Sequence, residues 1–189
     1  MIQWLKVQGE QVSQYDGKLT SDFVVGEDFS FLISYGYRHI ISKDILDYFP
    51  NRAINLHISY LPWNRGSDPN FWSFVDGTPK GVTIHFMDEG IDTGDIIVQR
   101  QVELDVETET LRSSYNKLHD NIKELFKQHW PAIKSGTCSR TPQPRTGTSH
   151  RTDEKFPLFS CLTDGFDSKV SELIALAGNP PKSEAHKDG

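Results

Sequence analysis

Two apolar runs of strand length, Phe29–Tyr35 (FSFLISY) and Ala53–Ser59 (AINLHIS), leave this chain few ways to fold. A sheet with one wet face alternates apolar and polar residues, whereas near-continuous apolar runs belong to strands covered on both faces. The segment between them supplies one cover. Ser42 is a helix cap, apolar residues follow at positions 45, 46 and 49, and Pro50 stops the helix. Strand, helix and strand in this order predict an α/β fold with a mostly parallel, Rossmann-like sheet.

The rest of the chain extends that unit. Residues 2–8 read as the tail of a helix halted by Gly9, and Gln11–Tyr15 as a short strand. Leu61–Gly77 is a long, aromatic-rich connection, of the kind that is usually functional. Val82–Met87 and Ile96–Leu104 read as two more strands around the acidic stretch DEGIDTGD. Leu111, Tyr115, Leu118, Ile122, Leu125, Phe126 and Ile133 then recur at helical spacing. Thr108 or Thr110 caps that helix, and Pro131 is expected to kink it or end it early. Ser, Thr, Pro and Gly dominate residues 136–152, a linker-like passage, and GNPPKSEAHKDG at the end has nothing to bury. The expected organisation is a main domain over residues 1–135, a C-terminal extension over 136–177 and a disordered tail over 178–189.

Charge removes some functions. The formal charge is −6, with 26 acidic against 20 basic residues, so no global field draws a polynucleotide backbone and no nucleic-acid partner is expected. No apolar run approaches the roughly 18 residues of a membrane span, and the first residues lack the apolar centre of a secretion signal, so a cytoplasmic location without a membrane partner is expected. Two cysteines, Cys138 and Cys161, are too few for a disulfide scaffold or a four-sulfur zinc site.

Within this apolar frame the polar residues stand out. Asn55 and His57, two apart on a strand, point to one face with α-carbons roughly 6.5 Å apart. Asn offers fixed amide donors for an oxyanion, and His offers a proton carrier near neutral pH. Asp88, Glu89, Asp92 and Asp95 crowd the loop after a buried strand, at the sheet end where α/β enzymes keep their sites. A carboxylate beside His57 would favour the imidazolium and fix its orientation. Each feature also has a plain structural reading: an internal hydrogen bond for the pair, a solvated turn for the loop, and a packed, hydrogen-bonded core histidine for His85. No metal-ligand spacing is present.

The run NLHISYLPWNRGSDPNFW followed by GVTIHFMDEGIDTGDIIVQ resembles the signature of the folate-dependent formyltransferases. That pattern is Asn-x-His-x-Ser-x-Leu-Pro, an Arg-Gly loop, and a His seven residues before an Asp followed by small-Gly. It falls here on Asn55, His57, Ser59, Leu61, Pro62, Arg65, Gly66, His85, Asp92 and Gly94. The resemblance implies 10-formyltetrahydrofolate as co-substrate, no metal, a primary amine as acceptor, and Asn55, His57 and Asp92 as the catalytic set. It implies a pterin site on two loops, with Tyr37, Arg38, His39 and Ile40 on one and Met87, Asp88, Gly90 and Ile91 on the other, recognised through main-chain groups.

Among acceptors, SYGYRHII, SYLPWNRGSDPNFWSF, GTSHRTDEKF and GFDSKVSEL are most similar to formyltransferases of nucleotide-linked, usually dTDP-linked, amino dideoxy sugars made for surface polysaccharide. Ser59, Arg65, Gly66 and Trp72 are then substrate-binding candidates. Arg65 suits a pyrophosphate or, equally, a loop-holding ion pair, and Trp72 suits a stacked ring or core packing. Methionyl-tRNA and glycinamide ribonucleotide formyltransferases, a formyltetrahydrofolate hydrolase and a non-catalytic folate or nucleotide-sugar binder remain the alternatives. A homodimer through C-terminal segments is expected from the family. The resemblance also places Met1 inside the family's first helix, so the chain reads as N-terminally truncated. The sheet must then lack its central strand or close by pairing Gln11–Tyr15 with Phe29–Tyr35.

Overall fold

Gly9, at φ +85°, ends the first helix, α1 (Ile2–Val7), as its composition predicts. The structure, a computed structural model, describes residues 1–178; apart from residue 178, the tail expected over 178–189 lies outside the described residues. Helix α2 (Ser21–Gly26) is capped by Thr20, whose hydroxyl accepts the Phe23 N–H. Strand β1 (Leu32–Ser34), helix α3 (Lys43–Tyr48) and strand β2 (Ala53–His57) form the unit read from the two apolar runs. Then come β3 (Arg65–Gly66), α4 (Pro69–Val75), β4 (Gly81–Phe86), β5 (Ile96–Gln101), α5 (Leu111–Ser135), β6 (Ser149–His150), α6 (Phe156–Phe159) and α7 (Val170–Gly178).

The main sheet has the order β1-β2-β4-β5, and β3 pairs with β6 in a second, two-stranded sheet. β1 and β2 are parallel, with Ile33 opposite Ile54. β4 runs antiparallel to β2 because the chain re-enters the sheet beside the end it left, placing Thr83 opposite His57 and His85 opposite Asn55. The result is the α/β fold expected, with a mixed pairing pattern in these strands, parallel between β1 and β2 and antiparallel between β2 and β4.

The structure departs from the sequence reading at two places. Gln11–Tyr15 forms no strand: β1 is the edge of the sheet, and residues 11–15 stand off from its open side and line a cavity of about 720 Å³ with Met1, Ile33 and Trp130. Nor does Pro131 end α5, which continues to Ser135. The buried stripe crosses the proline, since Phe126, Trp130 and Ile133 are all core residues. Glu10 grips the helix on both sides of it, accepting from Trp130 Nε1 at 3.0 Å and Lys134 Nζ at 2.7 Å. Packing of this kind outweighs one missing backbone bond. At its start α5 has a reciprocal cap: Thr110 Oγ1 accepts the Ser113 N–H at 3.0 Å, and Ser113 Oγ accepts the Thr110 N–H at 2.8 Å.

Compactness does not follow chain order. One unit comprises Met1–His57, Thr83–Val98 and Ile122–Gln143; the other comprises Ile58–Val82, Gln99–Asn121 and the chain from Pro144 on. The first packs Val24, Ile45, Leu46, Phe49 and Ala53 together. The second packs Phe71, Phe74, Leu111, Leu162, Val170 and Leu173. The stretch read as a linker is ordered in both: Thr141 bridges to Ile96 in the first, and β6 pairs with β3 in the second.

Candidate active site

Strand parity decides which polar groups meet. On β2, Asn55 and His57 share a face, and the antiparallel register brings His85 of β4 directly across from Asn55. His57 and His85 are 7 % and 2 % exposed, so both rings sit at the base of the site. Their centroids are 6.4 Å apart and their planes are nearly perpendicular, at 83°. His85 Nδ1–H donates to the Phe86 carbonyl at 2.7 Å, so Nε2 is the ring nitrogen turned toward the site, 3.4 Å from Asn55 Nδ2.

The loop after β4 delivers the carboxylate. Asp92 stands at φ +54°, a left-handed conformation that turns its side chain back over the sheet end. Its Oδ1 accepts from Asn55 Nδ2 at 2.8 Å and lies 3.4 Å from His85 Nε2, while its Oδ2 lies 3.7 Å from His57 Nδ1. The first is a full hydrogen bond. The last is an electrostatic approach, beyond direct hydrogen-bond reach and open to a bridging water. Asp88 Oδ1 braces the loop from within, accepting the Gly90 N–H at 3.1 Å and the Thr93 hydroxyl at 2.7 Å. Gly94 is required by space: a Cβ there would lie 1.9 Å from the Phe86 carbonyl oxygen.

The catalytic candidates therefore converge, and His85, read from sequence as a packed histidine, is packed and also stands in their midst. Gln143 escaped the sequence reading altogether: it lies in the supposed linker, yet its Nε2 donates to the Asp92 carbonyl at 2.9 Å. Burial pushes the Cys138 thiol up, away from the thiolate a nucleophile needs. No cluster of three or more metal-ligating side chains occurs among the described residues.

The two candidate pterin loops belong to the same unit as this site. Arg38, His39 and Ile40 are exposed on one, and Asp88, Gly90 and Ile91 on the other. Ile40 is 76 % and Ile91 54 % exposed. Lys43 Nζ, 3.6 Å from Glu89 Oε1, ties the start of α3 to the acidic loop. Met87 packs on the core, and Tyr37 is a structural pin: its hydroxyl donates to Gly17 O at 2.9 Å and accepts the Leu19 N–H at 2.8 Å.

The substrate-binding candidates lie in the other unit. Ser59 is buried there. Arg65 and Gly66 form β3, where Arg65 Nη2 donates to Pro144 O at 3.3 Å. Gly66, at φ +84°, lets β6 approach so closely that a Cβ would lie 2.3 Å from His150 O. Trp72 is 7 % exposed and stacks on His150 at 3.9 Å and 5°, so one face of its ring has an internal partner. His150 Nε2 is 2.8 Å from Asp76 Oδ2.

Comparison with known proteins bears on this arrangement. The formyl transferase family model matches residues 12–129. The formyltransferase PseJ from Anoxybacillus kamchatkensis, solved with UDP-4,6-dideoxy-4-formamido-L-AltNAc and tetrahydrofolate, is 48 % identical, with a TM-score of 0.88 over 93 % of this chain and 92 % of that one. A 4-N formyltransferase from Francisella tularensis is 27 % identical, with a TM-score of 0.69 over 82 % of this chain and 62 % of that one. A methionyl-tRNA formyltransferase from Ruminiclostridium cellulolyticum is 38 % identical over 117 residues, which are 59 % of this chain and 36 % of the relative. The chain spans less than half the length of the curated relatives it matches.

Proposed function

This chain belongs to the formyl transferase family, and from that premise we propose that it moves a formyl group from 10-formyltetrahydrofolate to the primary amine of a nucleotide-linked amino sugar. One observation carries the reading: Asn55, His57 and Asp92, from two distant stretches of chain, meet on one face of the sheet end, with an Asn55–Asp92 bond of 2.8 Å.

The co-substrate supplies an activated formyl carbon, held between the loops bearing Ile40 and Ile91. Attack by a neutral amine places negative charge on the formyl oxygen. Asn55 Nδ2 has two hydrogens: one is engaged by Asp92, and the other, 3.4 Å from His85, is the one to offer that oxygen. His57 carries the proton that the attacking nitrogen sheds and the folate nitrogen requires. Asp92 balances that charge, its Oδ2 lying 3.7 Å from His57 Nδ1. In the other unit, Arg65 is assigned to the nucleotide phosphates and Ser59 and Gly66 to the substrate, with Trp72 held by its stack on His150.

A sugar acceptor is favoured over methionyl-tRNA by the likeness to PseJ, which extends over 92 % of that chain, and by the net charge of −6, which gives no field for an acceptor stem. The test is to incubate the protein with 10-formyltetrahydrofolate and, separately, UDP-4-amino-4,6-dideoxy-L-AltNAc and a panel of dTDP-linked amino sugars. The expected result is a product heavier by one formyl group. Formate release without an acceptor would instead identify a hydrolase, and folate binding without turnover a non-catalytic binder.

A further inference from the structure

We infer that Gln143 is a positioning residue for the formyl-transfer site: its side-chain amide clamps the left-handed backbone of Asp92 and thereby sets where the Asp92 carboxylate points. The inference rests on the proposed roles of Asn55, His57 and Asp92.

Asp92 has a backbone conformation that L-residues seldom adopt, so the loop needs support to keep it there. Asp88 supports the loop at Gly90 and Thr93, short of the peptide groups beyond. Gln143 supplies that missing side. Its Nε2 donates to the carbonyl of Asp92 at 2.9 Å and to the carbonyl of Gly94 at 2.7 Å, spanning Thr93 with one nitrogen. Both hydrogens of the amide are used, one on the peptide plane that follows residue 92 and the other on the plane that follows Gly94, so the bonds fix one side of Asp92 and the loop just beyond it.

Gln143 is itself held in place by the strap that precedes it. Thr141 and Ile96 exchange both backbone hydrogen bonds, at 2.8 and 2.9 Å. Ser139 Oγ donates to the Ile97 carbonyl at 2.8 Å. Arg140 Nε donates to Asp95 Oδ2 at 2.6 Å, and its guanidinium lies 4.6 Å from the Phe86 ring centre. Residues 139–143 therefore run along the start of β5 and finish with the amide against the acidic loop. Gln143 meets the acidic loop at the carbonyls of Asp92 and Gly94, so its effect on the site passes through that loop to the Asp92 carboxylate.

The test compares Gln143→Met, which keeps the bulk and removes both donors, with Gln143→Glu, which keeps the outline and carries no N–H. Both are assayed with 10-formyltetrahydrofolate and the acceptor that the wild-type enzyme uses. Because an error of about 1 Å at a reacting group is worth up to ~10²-fold in rate, kcat is expected to fall about tenfold or more in each variant. KM for the amine is expected to stay within about twofold, because uniform binding is untouched. The thermal midpoints should stay close to wild type. A kcat within about twofold of wild type would overturn the inference. So would a loss that tracks falling midpoints, or one confined to KM. Asp92→Asn, run alongside, separates the two levels: if it keeps full rate the catalytic reading fails, and if it is slow while both Gln143 variants are fast only the clamp fails.

Discussion

Truncating Asn55 to alanine removes two things from the site at once. In the proposed mechanism the amide is the donor offered to the developing oxyanion, and losing one such donor costs about 2.7–4 kcal/mol, or roughly 10²–10³ in kcat. The same nitrogen holds Asp92 Oδ1 at 2.8 Å, a charge-assisted bond worth about 1.5–3 kcal/mol net. Asp92 is also held through its backbone and by the approach of both histidines, so only part of that second contribution is lost when Asn55 goes. The expected fall is therefore at least about 10²-fold. A double-mutant cycle with Asp92→Ala resolves the two parts. If the residues act as one unit, the double variant should be slower than the worse single variant by no more than about tenfold. The assay is the initial rate of tetrahydrofolate formation with both substrates saturating, with circular dichroism as a check on folding. A single variant within about threefold of wild type would refute the oxyanion role. Additivity within about 0.5 kcal/mol would refute the coupling.

Two further outcomes concern stability. The Lys134 ammonium and the Trp130 indole N–H hold the Glu10 carboxyl below its ordinary value of 4.5. A depressed carboxylate contributes stability above that value and loses it as pH falls through the lower folded value. Glu10→Gln should therefore be less stable than wild type in urea melts at neutral pH, and the gap should close below about pH 4.5; a gap independent of pH would contradict this. Gly94→Ala puts a Cβ 1.9 Å from the Phe86 carbonyl oxygen, so the acidic loop must shift. It should lower stability by about 1–3 kcal/mol in thermal melts and slow turnover as Asp92 moves with the loop; wild-type values for both would show that the loop is not tightly set.

What the chain discloses before folding depends on how local the cause is. β2 and its polar pair follow from an apolar run and the two-residue period of a strand, so Asn55 and His57 could be placed on one face without coordinates. α5 follows from helical spacing, and its start from Thr110. Asp92 is different: periodicity cannot choose among four carboxylates between 88 and 95, and the family resemblance made that choice. Nothing in residues 136–152 announces Gln143, because its partner is 51 positions away and its neighbours have the composition of a linker. The misreadings have the same origin. Pro131 stays inside a helix because Trp130 and Lys134 are gripped by Glu10, and Gln11–Tyr15 lines a cavity beside the edge strand β1 instead of pairing with it; both depend on tertiary neighbours.

The left-handed turn at position 92 narrows the choice of residue there beyond what acid–base chemistry demands. Asp and Asn tolerate positive φ far better than longer side chains, so of the two natural acids only one suits both the hinge and the reaction. Exchange for Glu would lengthen the arm and strain the joint in a single step. Asn would spare the joint and remove the charge, which makes it the cleaner probe of the proposed chemistry at this corner of the protein.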